Sequence, residues 1–255
     1  MPNPQSRFMS DRYFVEKPIA ADRVTLSGPE AHHLIHVMRA TIGTRVTLFD
    51  GGGDELSAAV VRVGRADAEL SILAREHFDR ELPYDLTLGV ALPKGDRQKW
   101  LVEKAVELGV TRIVPLRTAR GVAQPVEQAL IRLRRAVVEA SKQCGRNRLL
   151  QIDEPRAWPD FVADAAATPY RFMAHPGGEG FQTLLTQPLH GDVRLAVGSE
   201  GGFTDDEVSL AAAAGWQTVG LGPRILRVET AALFLAAVIA SCVSPLPGEG
   251  PGVRA

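Results

Sequence analysis

The sequence predicts an α/β protein of two domains, a small β-rich domain over residues 1–77 and a larger domain with a parallel sheet over residues 78–244. In the first part of the chain, short apolar runs alternate with turn residues, which is typical of a small β-barrel. From residue 86 onward, apolar strands alternate with helices, which is typical of a parallel sheet covered on both faces. Residues 245–255 are rich in glycine and proline and are expected to form a flexible tail.

Three strands and one helix are predicted in the β-rich domain. Turn residues separate the strands, which are expected at residues 46–49, 56–63 and 68–73. The helix is expected at residues 29–39, because apolar side chains recur there at helical spacing. The residues at this spacing are Ala31, Leu34, Ile35 and Met38.

Five strands and four helices are predicted in the larger domain. The strands are expected at residues 86–92, 112–116, 171–174, 193–197 and 218–221. The helices are expected at residues 97–108, 126–144, 205–214 and 229–243. Thr204 and Glu207 stand at the spacing of a capping box, which marks the start of the third helix. The last helix is apolar on all sides, which favours burial in the core or in an interface.

Composition limits the class of protein. The 255 residues are 45% hydrophobic and 23% charged, which is ordinary for a globular chain and excludes a coiled coil or a disordered protein. No apolar run reaches the roughly 18 residues of a membrane span, and the first residues lack the apolar core of a signal peptide. Cys144 and Cys242 have no CxxC partner, which favours a reducing compartment and disfavours a zinc site. We therefore expect a cytoplasmic protein without a metal or a membrane partner.

The charges are distributed unevenly along the chain, although the net charge is only −1. Residues 94–148 contain thirteen basic and five acidic side chains, whereas residues 149–255 contain six basic and twelve acidic ones. A basic middle segment is typical of a surface that faces phosphate groups. It is equally typical of solvated helix faces on which arginine stems cover apolar surface. Charge alone leaves both interpretations open.

Two glycine-containing loops are candidates for a binding site. Residues 198–203 follow the strand at 193–197, and residues 222–230 follow the strand at 218–221. Ligands of open parallel sheets bind beyond the carboxyl ends of strands, and glycine lets the backbone approach them closely. Two such loops at adjacent strand ends would form one pocket. The alternative is that these strand-to-helix loops contain glycine for conformational reasons only.

The loops contain no phosphate-binding fingerprint. Neither a G-x-x-x-x-G-K-[ST] motif nor a G-x-G-x-x-G motif is present, which disfavours a nucleoside triphosphate or a dinucleotide. The Glu200 carboxylate within the first loop would also repel a phosphate. A ligand without phosphate and with a positive centre fits better, and S-adenosylmethionine has these properties.

Both loops resemble motifs of the SPOUT methyltransferases. Residues 198–204 with Glu207 are similar to the GPEGG-F-(S/T)-x-x-E loop of that family, and residues 221–231 are similar to its LGxRILRxETA segment. Five further segments resemble the RsmE branch of that family, namely residues 32–39, 49–51, 92–97, 104–110 and 143–148. The resemblance runs in order from about Arg7 to Val243. Three residues depart from the family pattern, namely Gly121, Leu150 and Ser199. Ser199 replaces a proline and is expected to loosen the first loop.

The resemblance implies a fold and a reaction. It implies an N-terminal PUA-like β-barrel, a C-terminal SPOUT α/β domain tied in a trefoil knot, and a homodimer. RsmE proteins use S-adenosylmethionine to methylate N3 of one uridine in small-subunit (16S) ribosomal RNA. The implied partner is therefore that RNA or the assembled 30S particle.

The resemblance and the residue chemistry together give candidate site residues. Arg227 and Glu229 are predicted to act near the reacting base, one as a cation and one as a proton acceptor or orienting group. The alternative is a structural pair, since glutamate is favoured at a helix N-terminus. The predicted cofactor-binding residues are Met173, Gly198, Glu200, Gly201, Leu221, Gly222, Ile225, Leu226 and Thr230. The predicted RNA-binding residues are Arg7, Arg39, Lys94, Arg97, Arg120, Arg146 and Arg148.

Three other functions compete with this one. The first is an RNA-binding ribosome-assembly factor without catalysis, and the second is a SPOUT methyltransferase that acts on another RNA. The third is an enzyme that acts on small molecules. The third is disfavoured because no nucleophile elbow or metal-binding constellation is present. His32 and His33 lack partners at metal-ligand spacing and are expected to be structural.

Overall fold

The computed structural model describes residues 11–121, 127–180 and 189–242. The chain divides into two compact units. The first unit comprises Met1–Glu81 with Val138–Leu149, and the second comprises Leu82–Val137 with Leu150–Ala255. Residues 138–149 thus group with the N-terminal residues although they are distant in the chain.

The first unit contains one five-stranded sheet, which confirms the predicted β-rich domain. Its strands are β1 (Arg12–Phe14), β2 (Arg23–Ser27), β3 (Arg45–Phe49), β4 (Asp54–Val63) and β5 (Asp67–His77). They are ordered β1-β3-β4-β5-β2, and all pairs are antiparallel except β1 with β3. The three predicted strands are present, whereas β1 and β2 were not predicted. The core beneath the sheet includes fully buried Tyr13, Leu34 and Leu48.

The predicted helix of the first unit changes its winding along its length. α1 (Gly28–His32) is α-helical, and His33–Val37 continues as a π-helical turn. The wider turn changes the angular spacing of the side chains. Leu34 is therefore buried as predicted, whereas Met38 is 43% exposed and does not join the apolar face. Arg39 ends the segment in the left-handed region, at φ 53°.

The second unit contains a parallel sheet, as predicted. Its strands are β6 (Leu86–Val90), β7 (Arg112–Arg117), β8 (Gln151–Ile152), β9 (Arg156–Ala157), β10 (Tyr170–Gly180), β11 (Val193–Val197) and β12 (Gln217–Gly220). The order is β12-β10-β11-β6-β7-β8. The short strand β9 also pairs with β7, at residues that follow those paired with β8. The expectation that β11 and β12 are adjacent is wrong, because β10 pairs with both of them and lies between them.

Five helices among the described residues accompany this sheet. They are α2 (Arg97–Glu107), α3 (Glu127–Cys144), α4 (Trp158–Asp164), α5 (Asp205–Ala213) and α6 (Val228–Ser241). The predicted capping box is confirmed, since Glu207 N donates to Thr204 Oγ1 at 3.2 Å and Thr204 N donates to Glu207 Oε2 at 2.9 Å. The apolar α6 packs against α2, β6 and β11, in keeping with the predicted burial. No helix among the described residues is long and apolar enough to cross a membrane.

Candidate active site

The loops that follow the parallel strands lie at one edge of the sheet, where all the carboxyl ends meet. Residues 198–204 connect β11 to α5, and residues 221–227 connect β12 to α6. Residues 91–96 connect β6 to α2, and residues 118–121 follow β7. Four loops thus contribute to the site, including the two glycine-containing loops that the sequence indicated.

Glu229 is a buried carboxylate in the first turn of α6. Its side chain is only 6% exposed, and its Oε1 lies 3.5 Å from Nη1 of Arg97. Its Oε2 is buried and has no hydrogen-bond partner among the described residues. The carboxylate thus lies at a helix N-terminus and next to a guanidinium group. The unpartnered oxygen is available to accept a proton or a hydrogen bond from a bound molecule.

Arg97 connects the two glycine-containing loops. It opens α2 after β6, and its Nη2 lies 3.8 Å from Oε1 of Glu200 while its Nη1 is near Glu229. Glu200 is 61% exposed at the side chain, so that contact is weak, whereas the buried Glu229 contact is the stronger one. The sequence marked Arg97 only as a candidate RNA contact. The structure places it between two carboxylates.

Arg120 supports the loop after β11. Its Nη1 donates to the carbonyl oxygen of Gly201 at 2.8 Å and to that of Phe203 at 3.3 Å. The Ser199 hydroxyl donates to the Arg120 carbonyl at 3.0 Å. The residue that replaces the family's proline therefore fixes the loop instead of loosening it. Arg120, a predicted RNA contact, uses its guanidinium within the protein.

The loop after β12 leaves its backbone open. Gly222 has φ 97°, and a Cβ placed on it would meet no atom within 4 Å. Ile225 is 97% exposed, and Leu221 and Leu226 are half-buried. Backbone that is both exposed and free of side-chain cover can approach a ligand closely.

The remaining predicted cofactor and catalytic residues differ in exposure. Arg227 is exposed at the N-cap of α6, and Thr230 is exposed one turn further along. Gly198 is buried against Phe203, since a Cβ on it would lie 3.2 Å from that ring. Met173 is fully buried in a core cluster with Trp158 and other residues, so its side chain is a core side chain.

The carboxyl end of β10 passes between the two loops as a bulge. Ala174 and Glu179 both pair with Val219, so residues 175–178 bulge out of the strand. A Cβ on Gly178 would lie 2.5 Å from Val219 N, and a Cβ on Gly220 would lie 2.5 Å from the Gly178 carbonyl oxygen. Only glycine permits this close backbone approach.

The predicted RNA-binding residues are not equivalent. Arg39, Lys94 and Arg148 are exposed. Arg146 is only 4% exposed and its guanidinium is paired with Glu81. Arg7 lies outside the described residues. No group of residues in the described part of the chain has the composition of a metal site.

Two family models match the chain. The family described as RNA methyltransferase domain matches residues 80–240, and the RNA methyltransferase PUA domain matches residues 26–73. The ribosomal RNA small subunit methyltransferase E (RsmE) of Synechocystis is 35% identical over 218 residues, which are 82% of this chain and 69% of that protein. This chain belongs to the RsmE family.

Other RsmE proteins are similar over more of their length. That of Bacillus subtilis is 27% identical and covers 93% of this chain and 99% of its own. The crystal structure of the Neisseria gonorrhoeae RsmE bound to S-adenosylmethionine superposes with a TM-score of 0.82, at 29% identity over 91% of this chain and 97% of that one. The predicted PUA-like domain and RNA methyltransferase domain are confirmed. The trefoil knot stays a prediction.

Proposed function

We propose that this chain transfers the methyl group of S-adenosylmethionine to N3 of one uridine in small-subunit ribosomal RNA. The observation that carries this proposal is the buried Glu229 carboxylate, with one unpartnered oxygen, beside Arg97 at the open glycine loops. The names of the RsmE relatives support the RNA substrate. The bound ligand of the Neisseria gonorrhoeae structure supports the cofactor.

The loops fit S-adenosylmethionine by their shape and charge. The space beside Gly222 that a Cβ would fill is empty of protein atoms, which suits a flat adenosine group against the backbone. We assign the cofactor to the backbone of six residues and to three further positions. The six are Gly198, Gly201, Leu221, Gly222, Ile225 and Leu226, and the three are Met173, Glu200 and Thr230. The bound cofactor supplies a methyl group on a positively charged sulfur, which the carboxylate of Glu200 favours.

Glu229 is suited to remove the N3 proton of uridine. N3 carries a hydrogen and is a poor nucleophile until that proton leaves. The unpartnered Oε2 of Glu229 would accept this proton as the methyl carbon leaves the sulfur and bonds to N3, while Arg97 balances the charge on Oε1. Arg227 is exposed at the start of the same helix and supplies a cation for the negative charge that develops on the ring oxygens. Arg97 is thus a positioning residue in this proposal.

Exposed basic residues hold the RNA in this proposal. Arg39, Lys94 and Arg148 are exposed and available to phosphate groups, and Arg7 is proposed to join them. The target base must leave its stack to reach a buried carboxylate. The substrate is proposed to be either the RNA or the assembled 30S particle.

We also propose a cytoplasmic homodimer. Trp100 on α2 and Phe234 on α6 are each 46% exposed, and the two helices are in contact. Exposed aromatic side chains on neighbouring helices are typical of protein interfaces. Sedimentation equilibrium would show a dimer, and a strictly monomeric chain would contradict this part.

The direct test uses unmethylated small ribosomal subunits. The purified protein is incubated with them and with methyl-labelled S-adenosylmethionine, and the labelled nucleoside is identified and mapped. Label on N3 of a single uridine is expected. Label at another position or in another RNA would contradict the substrate assignment while leaving the methyltransferase intact. Saturable cofactor binding without transfer to any RNA would favour an assembly factor.

A further inference from the structure

A cavity lies at the opposite edge of the parallel sheet from the candidate active site. It has a volume of about 400 Å³ and is lined by residues at the amino ends of β6, β7 and β11. Its floor is buried and includes Thr87 and Phe161, whereas Arg112 and Asp192 are exposed at its rim. Nothing in the proposed methyl transfer uses this cavity.

The strand register places arginines in one row beside it. Arg194 on β11 pairs with Arg171 on β10 and with Thr87 on β6, and Thr87 pairs in turn with Arg112 on β7. Paired residues of parallel strands point to the same face of a sheet. Three guanidinium groups therefore share one face, an arrangement in which like charges repel each other.

Two of the three arginines have partners. Arg112 Nη1 donates to both carboxylate oxygens of Asp153, at 3.1 Å each. Arg171 Nη1 donates to the carbonyl oxygens of Ala165 and Ala166 at 3.1 and 3.0 Å.

Arg194 has no anionic partner. Its guanidinium carbon lies 5.5 Å from the centre of the Phe161 ring, and no described carboxylate forms an ion pair with it. Burial lowers the pKa of Arg194, and the charges of Arg156 and Arg112 lower it further. Asp153 and Asp192 oppose this effect but do not pair with the group. A partly desolvated cation among other cations is stabilised by a bound anion.

Carboxylates at the rim limit which anion fits. Asp164 is paired with Arg156, and Asp192 accepts the Asp85 backbone N–H at 3.0 Å. The Asp85 and Asp192 carboxylates have no cation paired with them among the described residues, so they disfavour a highly charged ligand. A singly charged oxyanion that reaches the floor, such as the H2PO4⁻ form of phosphate or a phosphodiester, is therefore favoured.

We propose that this cavity binds an oxyanion of the phosphate class, held by the Arg194 guanidinium next to Thr87. Two sources share this chemistry: free phosphate, and a phosphodiester of bound RNA. Arginine is suited to either one because its planar N–H groups match two phosphate oxygens at once.

The test measures binding of inorganic phosphate to the full chain at pH 6, where most of the phosphate is singly charged, at constant ionic strength and with chloride as the replaced anion. Isothermal titration calorimetry is performed on wild type, on Arg194→Gln and on Arg134→Gln. Arg134 is a matched control, an exposed arginine of the same unit that pairs with Glu154. We expect saturable binding in wild type and in Arg134→Gln, and affinity reduced about tenfold or more in Arg194→Gln, as for loss of a charged hydrogen bond.

Thermal unfolding separates binding from a structural role. Without phosphate, Arg194→Gln should be as stable as wild type, because it removes like-charge repulsion; with phosphate, only the variants that retain Arg194 should gain stability. Displacement of phosphate by single-stranded RNA would assign the site to RNA phosphodiesters, and failure to displace it would assign free phosphate. Absence of saturable phosphate binding, or equal binding by Arg194→Gln, would overturn the proposal.

Discussion

Arg97 and Glu229 lie 132 positions apart in the chain, yet their side chains meet at 3.5 Å. One residue opens the helix after β6 and the other opens the helix after β12. The pair sits where the carboxyl ends of the strands converge. A buried carboxylate is thereby kept next to a cation while its other oxygen stays without a protein partner.

Loss of the Arg97 charge should slow methyl transfer more than it weakens cofactor binding. In Arg97→Gln the buried carboxylate loses its cation, and the single-turnover rate is expected to fall about tenfold or more. Arg97→Lys keeps the charge and should recover part of the rate. Lys99→Gln is the control, because Lys99 is two residues away, 67% exposed and paired with Glu103. Equal rates in Arg97→Gln and Lys99→Gln would show that Arg97 is not a positioning residue for methyl transfer.

Gly222→Ala should weaken cofactor binding without unfolding the protein. The added methyl group enters open space at φ 97°, so the strain is about 1 to 2 kcal/mol. Gly43→Ala is a matched control, since Gly43 has φ 89° and the same empty surroundings in the first unit. Calorimetry should show reduced S-adenosylmethionine affinity only for Gly222→Ala. A similar loss of stability with unchanged affinity in both variants would contradict the assignment of this loop.

Arg146 and Arg148 should behave differently although they are two residues apart. Arg146→Gln leaves Glu81 buried without its cation and should reduce the free energy of unfolding by about 3 kcal/mol. Arg148→Gln changes an exposed residue, so it should preserve the unfolding midpoint and weaken RNA binding a few-fold, in a salt-dependent way. Chemical denaturation and filter-binding titrations would check both. Unchanged stability with weakened RNA binding in Arg146→Gln would instead identify Arg146 as an RNA contact.

The stability of the first unit should decrease in acid because of Glu55. Burial alone would raise the pKa of Glu55, but hydrogen bonds and charge from Arg12, with the charge of Arg80, outweigh it and hold the pKa below its usual value of 4.5. A lowered pKa in the folded state gives stability that is present above pH 4.5 and is lost as the pH falls through the folded-state value.

Glu55→Gln should remove this contribution. At pH 7 it should lower the free energy of unfolding by about 1 to 2 kcal/mol, and the difference from wild type should shrink in acid. Glu76→Gln, at an exposed position of β5, is the control. Denaturant titrations at several pH values measure how the free energy of unfolding of each protein changes with pH. A difference from wild type that stays constant with pH would contradict the ion pair with Arg12.

Local patterns predicted most of the secondary structure. The capping box at Thr204 and Glu207 was readable because its two partners are three residues apart. The parallel sheet was readable from buried apolar runs such as 86–90. The wide turn after α1 was not, because apolar spacing alone does not distinguish α from π winding, and Met38 was placed wrongly as a result.

The site was only partly predictable, because its key contacts are long-range. The two glycine loops and Glu229 were found through their motifs. The position of β10 between β11 and β12 was not, since strand order depends on contacts that no single segment encodes. The same reason hid the pairing of Arg97 with Glu229 and of Arg146 with Glu81. An exposed and a paired arginine have the same appearance in a sequence.

The proposed methyl transfer depends most on Glu229 as the proton acceptor. The decisive measurement compares single-turnover methyl transfer by wild type, Glu229→Gln and Glu154→Gln on unmethylated small subunits, with cofactor binding measured in parallel. Glu154 is 76% exposed and serves as the control. Glu229→Gln is expected to bind the cofactor but to be slower by about a hundredfold or more, while Glu154→Gln matches wild type. A Glu229→Gln rate equal to that of wild type would contradict the role of Glu229 as proton acceptor.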